Sequence, residues 1–312
     1  MPLSLEQYVC DFLPGRDLPW PVMPRVESPK ARPSLHKMPV RAVLWNVYGT
    51  LLAIPTGELQ FEAQIEFVTD AAFDKTVQEF KMWNSMSRKP GAPGAYMKEL
   101  FKKAYEIVRL TGGGEVRSEL IWDDIVKKLM TKEYSYDAAQ YGSPSEYVKK
   151  IAYFYHASIQ GTGCYVGAAE AIQAVSDAGL KQGLLADGQC FTPYQLLKAL
   201  RDQNPLFDLS MHLPPDMRVL SAEKGMRKPS EDLFRAALAA VRAKGISPGV
   251  VLHVGSSLTR DIAPAKKLGM RTALFAGDRA SLLATSEQLK DPNLRPDGMM
   301  TELTQIAEVI GR

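Results

Sequence analysis

The chain has 312 residues, of which 46% are hydrophobic and 23% are charged. This composition excludes a globally disordered chain, and the length allows one core domain with a second, smaller one. The 38 basic and 35 acidic residues leave a net charge of +3, which gives no argument for a nucleic-acid partner. Three scattered cysteines, no signal-peptide pattern and no long apolar run predict a cytoplasmic protein with reduced thiols and no membrane partner.

The residue pattern changes twice in the first half of the chain. Residues 1–37 are a proline-rich N-terminal extension, which we predict to be an extended arm. The apolar run "VRAVLWNV" at 40–47 predicts a buried strand. Between residues 58 and 160, apolar residues recur at spacings of three and four and predict four amphipathic helices. These helices are expected at 61–83, 95–110, 118–130 and 143–159, the last with a capping box of Ser143 and Glu146.

After residue 160, apolar strand candidates alternate with helical patterns. This alternation predicts an α/β fold with a doubly wound, Rossmann-like parallel sheet, formed by residues 38–57 and 161–312. In such sheets, ligands bind beyond the carboxyl ends of the strands. Polar residues stand at three predicted strand ends: Asn46 and Tyr48, then Asp187, then Ser256 to Asp261.

Four segments follow one another along the chain, three of them at these strand ends and one around a Lys-Pro pair. They are "WNVYGTLL", "GLLADGQ", "GMRKPSEDLF" and "HVGSSLTRDIAPAKKLGM". The chain resembles the haloacid dehalogenase superfamily of hydrolases, whose motifs occur in this order, and its motif form is closest to the 2-haloacid dehalogenase branch. The resemblance implies that residues 58–160 are an inserted helical cap domain. It also implies a chemistry in which an aspartate attacks phosphorus or a halogen-bearing carbon and forms an ester.

The resemblance assigns a role to each motif position. Asn46 stands at the position of the nucleophilic aspartate, and Tyr48 matches the dehalogenases, whereas phosphatases have an acid there. Thr50 matches the first motif, Lys228 matches the lysine that balances negative charge, and Asp261 matches the acidic residue of the fourth motif. The dehalogenase form implies no cofactor. The phosphatase form implies Mg²⁺, for which Asp261 is the candidate ligand that remains.

The substrate-binding positions are partly changed. Ala186 replaces the serine or threonine of the second motif and is followed by Asp187 and Gly188, while Ser256 and Ser257 match the fourth motif. Leu258, in contrast, replaces the asparagine of the dehalogenases. Simpler structural interpretations also exist for three residues. Asn46 could serve the strand–loop junction, Asp261 could cap the helix "IAPAKKLG", and His253 could be a hydrogen-bonded core residue.

A neutral amide is a poor nucleophile, and losing one catalytic group commonly costs several powers of ten in rate. We therefore expect a haloacid dehalogenase-like protein with weak or absent Asp-ester hydrolysis that keeps a pocket for a small anion or carboxylate. One alternative is an active hydrolase that uses another carboxylate, such as Asp187 or Asp261. A second alternative is a non-catalytic binding or scaffold protein, and a homodimer is left open.

Overall fold

The computed structural model describes residues 1–85, 87–111, 114–285 and 287–311. The chain divides into two compact units. The α/β unit contains Met23–Glu58, Thr162–Gly188 and the described residues from Leu196 onward. The helical unit contains Met1–Val22, Leu59–Gly161 and Gln189–Gln195. Within the described residues, no helix is long and apolar enough to cross a membrane.

The α/β unit is built on a six-stranded sheet with the order β5-β4-β1-β6-β7-β8, in which every pairing is parallel. Parallel sheets are covered on both faces, which explains why these strands read as continuous apolar runs. The predicted doubly wound α/β fold is confirmed. The strands of this sheet are β1 (Ala42–Trp45), β4 (Lys181–Ala186), β5 (Arg218–Leu220), β6 (Val251–Gly255), β7 (Arg271–Phe275) and β8 (Gly298–Met300).

The register of the sheet aligns the ends of its central strands. Trp45, the last residue of β1, pairs with Leu184 of β4 on one side and with Val254 of β6 on the other. The segments that follow these three strands therefore leave the sheet at the same edge. A separate antiparallel pair joins β2 (Leu52–Ala53) to β3 (Gly163–Cys164).

Helices alternate with the strands after residue 160. The helix Glu231–Arg242 buries residues at helical spacing, among them Leu233, Ala237 and Val241. The other helices are Ala168–Asp177, Thr192–Arg201, Leu209–His212, Ser221–Lys224, Ala263–Lys267 and Ile306–Ile310, and a π-helical turn covers Leu258–Ile262. Short 3-10 turns cover Pro55–Gly57, Pro215–Met217, Pro248–Val250, Gln288–Lys290 and Leu303–Gln305.

The four predicted helices of the helical unit are confirmed, with somewhat different bounds. They are Glu66–Glu79, Pro93–Thr111, Ser118–Met130 and Pro144–Ile159, and a short helix Ala138–Tyr141 precedes the last. Ser143 caps the last helix because its hydroxyl accepts a hydrogen bond from Glu146 N at 3.4 Å.

The prediction of an extended arm at the N-terminus is wrong for the first residues of the chain. Ser4 and Gln7 form a capping box at the helical turn Leu5–Gln7, and a π-helical turn follows at Tyr8–Phe12. The apolar residues of these turns are buried in the aromatic core of the helical unit because they share one helix face. The buried members are Leu5, Tyr8, Val9 and Leu13.

His156 is a buried histidine of the helical unit, and it makes the stability of that unit dependent on pH. Its Nε2 lies 3.0 Å from Ser118 Oγ, and burial lowers the pKa of His156 to about 3. The folded state therefore keeps this ring neutral, while the unfolded chain takes up a proton below about pH 6.5. Each unit by which the pH falls between about 6.5 and 3 therefore lowers the free energy of unfolding by about 1.4 kcal/mol through this histidine.

We expect the unfolding free energy of the wild type to fall between pH 6.5 and pH 5 by about 2 kcal/mol more than that of His156→Gln. Urea unfolding at the two pH values measures this difference. His36→Gln, at an exposed position, is the control and should follow the wild type. Equal pH dependence in the wild type and His156→Gln would contradict the prediction.

Candidate functional site

Asn46 is the first residue after β1, and both ends of its side-chain amide are bound within the protein. Its Nδ2 donates to the Tyr48 carbonyl oxygen at 2.8 Å and to Thr50 Oγ1 at 3.2 Å. Its Oδ1 accepts from Lys228 Nζ at 3.0 Å. The residue is only 8% exposed. Asn46 is therefore a fixed part of the site, held by its own loop and by Lys228.

Lys228 reaches the same point from the turn before the helix Glu231–Arg242. Besides its bond to Asn46, its Nζ donates to Asp261 Oδ1 at 2.6 Å. The Lys228 side chain is 2% exposed, so this is a buried ion pair. The pair needs both members because a buried charge without its partner is strongly unfavourable.

Asp261 is the most heavily hydrogen-bonded group of the site. Its Oδ2 accepts from the backbone amides of Ser256 at 3.1 Å and Ser257 at 3.0 Å, while its Oδ1 faces Lys228. Burial acts to raise the pKa of Asp261, but Lys228 and His253 outweigh burial and lower the pKa well below its ordinary value. Asp261 is therefore a carboxylate at neutral pH.

Asp261 does not cap the helix that follows it. The N-cap of the Leu258–Ile262 turn is Ser257, whose hydroxyl accepts from Arg260 N at 3.2 Å. The Asp261 carboxylate instead accepts hydrogen bonds from the backbone amides of the two residues that follow β6. The capping interpretation of Asp261 is wrong because Ser257 stands earlier in the loop and meets the first free amides of the turn.

His253 lies within β6 and contacts Asp261 from the strand. Its Nδ1 lies 3.0 Å from the Leu44 carbonyl oxygen, and its Nε2 lies 3.3 Å from Asp261 Oδ1. Burial and the neighbouring Lys228 lower the pKa of His253, so the ring is neutral at pH 7 and carries one hydrogen for these two acceptors. The interpretation of His253 as a hydrogen-bonded core residue is confirmed, and its contact with Asp261 was missed.

Four charged residues surround the strand ends in alternating order, and we call them the charge ring: Arg260, Asp187, Arg227 and Glu58. Arg260 donates to Glu58 and, through Nη2, to Asp187 Oδ2 at 2.5 Å. Arg227 lies 3.7 Å from Glu58 Oε2 and 3.9 Å from Asp187 Oδ2. Burial acts to lower the pKa of Arg260, but Asp187 and Glu58 outweigh it and raise that pKa. The ring carries two positive and two negative charges.

Sequence reasoning missed three members of the charge ring. Arg260 and Arg227 each stand next to a motif residue, Asp261 and Lys228 respectively, so adjacency was a usable signal. No sequence signal singled out Glu58. Asp187 was predicted, and the structure ties it to the site because its Oδ1 accepts from the backbone amide of Lys228 at 2.9 Å.

The remaining predicted positions contribute mainly through the backbone. Tyr48 offers its carbonyl to Asn46, and Ser256 and Ser257 offer their amides to Asp261. The Gly188 amide donates to Ser221 Oγ at 2.9 Å. Ala186 is fully buried at the end of β4, and its methyl side chain cannot form a hydrogen bond with a ligand.

The side chains at this site do not fit a magnesium ion. Mg²⁺ requires oxygen ligands in near-octahedral geometry, usually with one or two carboxylates. The Asp261 oxygens already accept from two amides and from Lys228 Nζ, and Asn46 supplies a neutral amide in place of a carboxylate. Within residues 1–85, 87–111, 114–285 and 287–311, no group of three or more His, Cys, Asp or Glu residues could bind a metal ion.

Comparison with known proteins shows what these features are similar to. Residues 225–306, which contain Lys228 and Asp261, match the family model described as HAD-hydrolase-like. A crystal structure of 2-haloacid dehalogenase from Pseudomonas syringae pv. Tomato DC3000 has the same fold, with a TM-score of 0.51 and 16% identity over 88% of this chain and 99% of that one. The resemblance to the haloacid dehalogenase (HAD) superfamily is confirmed.

Two further proteins are similar to this chain. Glyceraldehyde 3-phosphate phosphatase from Pyrococcus furiosus is 29% identical over 147 residues, which are 47% of this chain. The match covers 54% of that phosphatase, so the chain spans about half of its length. The HAD-hydrolase YfnB from Bacillus subtilis, in a structure bound to magnesium, has a TM-score of 0.43 and 17% identity over 88% of this chain and 99% of that one.

Proposed function

We propose that this chain is a HAD-like protein that binds a small anion at Lys228 and does not perform Asp-ester hydrolysis. The observation that carries the proposal is Asn46, whose amide stands at the nucleophile position with both of its ends bound within the protein. A neutral amide donates two hydrogens and has no charge with which to attack phosphorus or carbon. The side chain also has no room to reorient without breaking three hydrogen bonds.

The charge balance at the centre supports anion binding. Lys228 and Asp261 carry opposite charges, and Asn46 adds none, so the three side chains sum to zero. An aspartate at position 46 would make the same centre negative and would repel an anion. Lysine has three N–H groups, of which two are directed at Asn46 and Asp261, and the third is the one that we assign to the anion.

The alternative of another nucleophilic carboxylate receives less support. Asp261 is buried and accepts hydrogen bonds from Lys228 and two backbone amides, and Asp187 accepts from Arg260 and the Lys228 amide. A carboxylate held by such donors is a weakened nucleophile.

The scaffold alternative has one favourable observation, which is a set of exposed apolar side chains on the helical unit: Ile65, Phe67 and Leu110. Light scattering of the purified protein tests the scaffold alternative, since a strictly monomeric protein without partners would count against that alternative.

We expect the wild type to turn over neither p-nitrophenyl phosphate nor 2-chloropropionate at ordinary enzyme rates, with or without Mg²⁺. Asn46→Asp, assayed beside it, should also stay far below such rates because Ala186 still lacks the hydroxyl of the second motif. Isothermal titration with inorganic phosphate measures the retained binding. The added charge in Asn46→Asp should weaken that binding about tenfold.

The controls separate Lys228 from nonspecific charge. Lys228→Met should abolish phosphate binding, while Lys244→Met, which removes an exposed lysine paired with Asp216, should bind like the wild type. Turnover by the wild type at ordinary enzyme rates, or phosphate binding that survives in Lys228→Met, would each overturn the proposal.

A further inference from the structure

One carboxylate of the charge ring, that of Glu58, is bound by two arginines. The Glu58 carboxylate lies between two guanidinium groups, with Oε1 accepting from Arg260 and Oε2 lying 3.7 Å from Arg227 Nη2. Guanidinium groups present their N–H donors in a planar fork that matches a carboxylate or phosphate group. A free oxyanion would therefore find the same two partners that Glu58 now occupies.

The two carboxylates of the charge ring are not equivalent. Asp187 is fixed on two sides, since its Oδ1 accepts from the Lys228 amide and its Oδ2 accepts from Arg260. The Glu58 side chain is 30% exposed, against 13% for Asp187, and follows a short turn at Pro55–Gly57. Water therefore screens the ion pairs of Glu58 more than those of Asp187. Glu58 is thus the member that an incoming anion can displace.

We propose that Arg227 and Arg260 form an oxyanion-binding site that Glu58 occupies in the absence of ligand, and that the carboxylate or phosphate group of a small ligand takes the place of Glu58. This inference rests on the proposed function, because it adds a second contact for the anion that we assign to Lys228. Asp187 connects the two points, since it binds Arg260 and the Lys228 amide. Glu58 then lowers the apparent affinity by the fraction of time that it fills the site.

Isothermal titration at low ionic strength, with inorganic phosphate and with acetate as probes, tests the inference. If Glu58 fills the site about nine-tenths of the time, Glu58→Gln should bind about tenfold more tightly than the wild type. Adding Arg260→Gln to Glu58→Gln should remove the gain. Phosphate and acetate are separate arms, so a gain for either probe supports the site and identifies which oxyanion it prefers.

Glu231→Gln is a closely matched control. The Glu231 side chain is also 30% exposed and also has two cationic partners, Arg235 and Lys267, but it lies at the start of the helix Glu231–Arg242. It changes the net charge by the same amount as Glu58→Gln, and should leave affinity within about twofold of the wild type. Glu58→Ala, which removes the side chain entirely, gives a second measurement if the glutamine variant is poorly folded.

The outcomes separate this inference from the proposed function. A gain in Glu58→Gln that disappears with Arg260→Gln and survives Lys228→Met supports the arginine site even if Lys228 proves not to bind anions. An affinity in both Glu58→Gln and Glu58→Ala no tighter than in Glu231→Gln overturns the inference and leaves the Lys228 proposal standing. A gain that persists in the Glu58→Gln/Arg260→Gln variant also overturns it.

Discussion

Replacing Asp261 by alanine is expected to lower the free energy of unfolding of the α/β unit by about 3–5 kcal/mol. The substitution leaves the Lys228 ammonium buried without its counter-charge, because Asp261 Oδ1 is the carboxylate oxygen 2.6 Å from it. It also removes the acceptor for the amides of Ser256 and Ser257. An unpaired buried donor costs about 1–3 kcal/mol, so the amides add to the loss.

Urea denaturation of the wild type and Asp261→Ala at pH 7 measures this difference. Asp216→Ala is the control, since Asp216 pairs with Lys244 at 2.5 Å but its side chain is 59% exposed, and its loss should change the stability far less than the loss of Asp261. The double variant Asp261→Ala/Lys228→Met should lose less than the sum of the two single variants because no charge remains buried. Near-equal losses in Asp261→Ala and Asp216→Ala would show that the buried pair is energetically unimportant.

Tyr8→Ala is expected to destabilise the helical unit by about 3–5 kcal/mol, although Tyr8 lies only seven residues from the start of the chain. The Tyr8 ring is fully buried and packs on Phe12, Phe80 and Tyr141 at centroid distances of 5.6, 6.4 and 6.2 Å. Its removal leaves a cavity in the aromatic core of that unit.

Two variants make this test specific. Among the described residues, the Tyr8 hydroxyl is buried without a hydrogen-bond partner, so Tyr8→Phe should keep the stability of the wild type or increase it by up to about 1 kcal/mol. Val22→Ala, at an exposed position of the same N-terminal segment, should change it by less than about 0.5 kcal/mol. Thermal or urea unfolding followed by circular dichroism measures all three. A Tyr8→Ala variant as stable as Val22→Ala would mean that the segment is not part of the core.

The sequence was sufficient for the fold because its signals are periodic and long. The helix at Ser118–Met130 was predicted with its observed bounds, since its apolar residues keep helical spacing from end to end. β5 and β8 were missed because strands of three residues are too short for a period to be read. The turns at Leu5–Phe12 were missed because the nearby prolines were given more weight than the spacing of Leu5, Tyr8 and Val9.

The site was predictable where it depends on strand ends and only partly where it depends on side-chain direction. Asn46, Lys228 and Asp261 meet because parallel strands end at one edge of the sheet, which the motif order already implied. The direction of the Asn46 amide could not be read from sequence, because it depends on where the Tyr48 carbonyl and Thr50 hydroxyl lie. Glu58 reaches Arg260 across 202 positions, and no local pattern reports such a contact.

The alternation of sign in the charge ring has a consequence for how a ligand arrives. Two guanidinium groups and two carboxylates within a few ångströms cancel one another beyond about one Debye length, roughly 8 Å at physiological salt. An anion in solution therefore feels little long-range attraction toward these strand ends and approaches by unguided diffusion. Recognition begins only at contact, when a carboxylate or phosphate group competes directly with the side chain of Glu58.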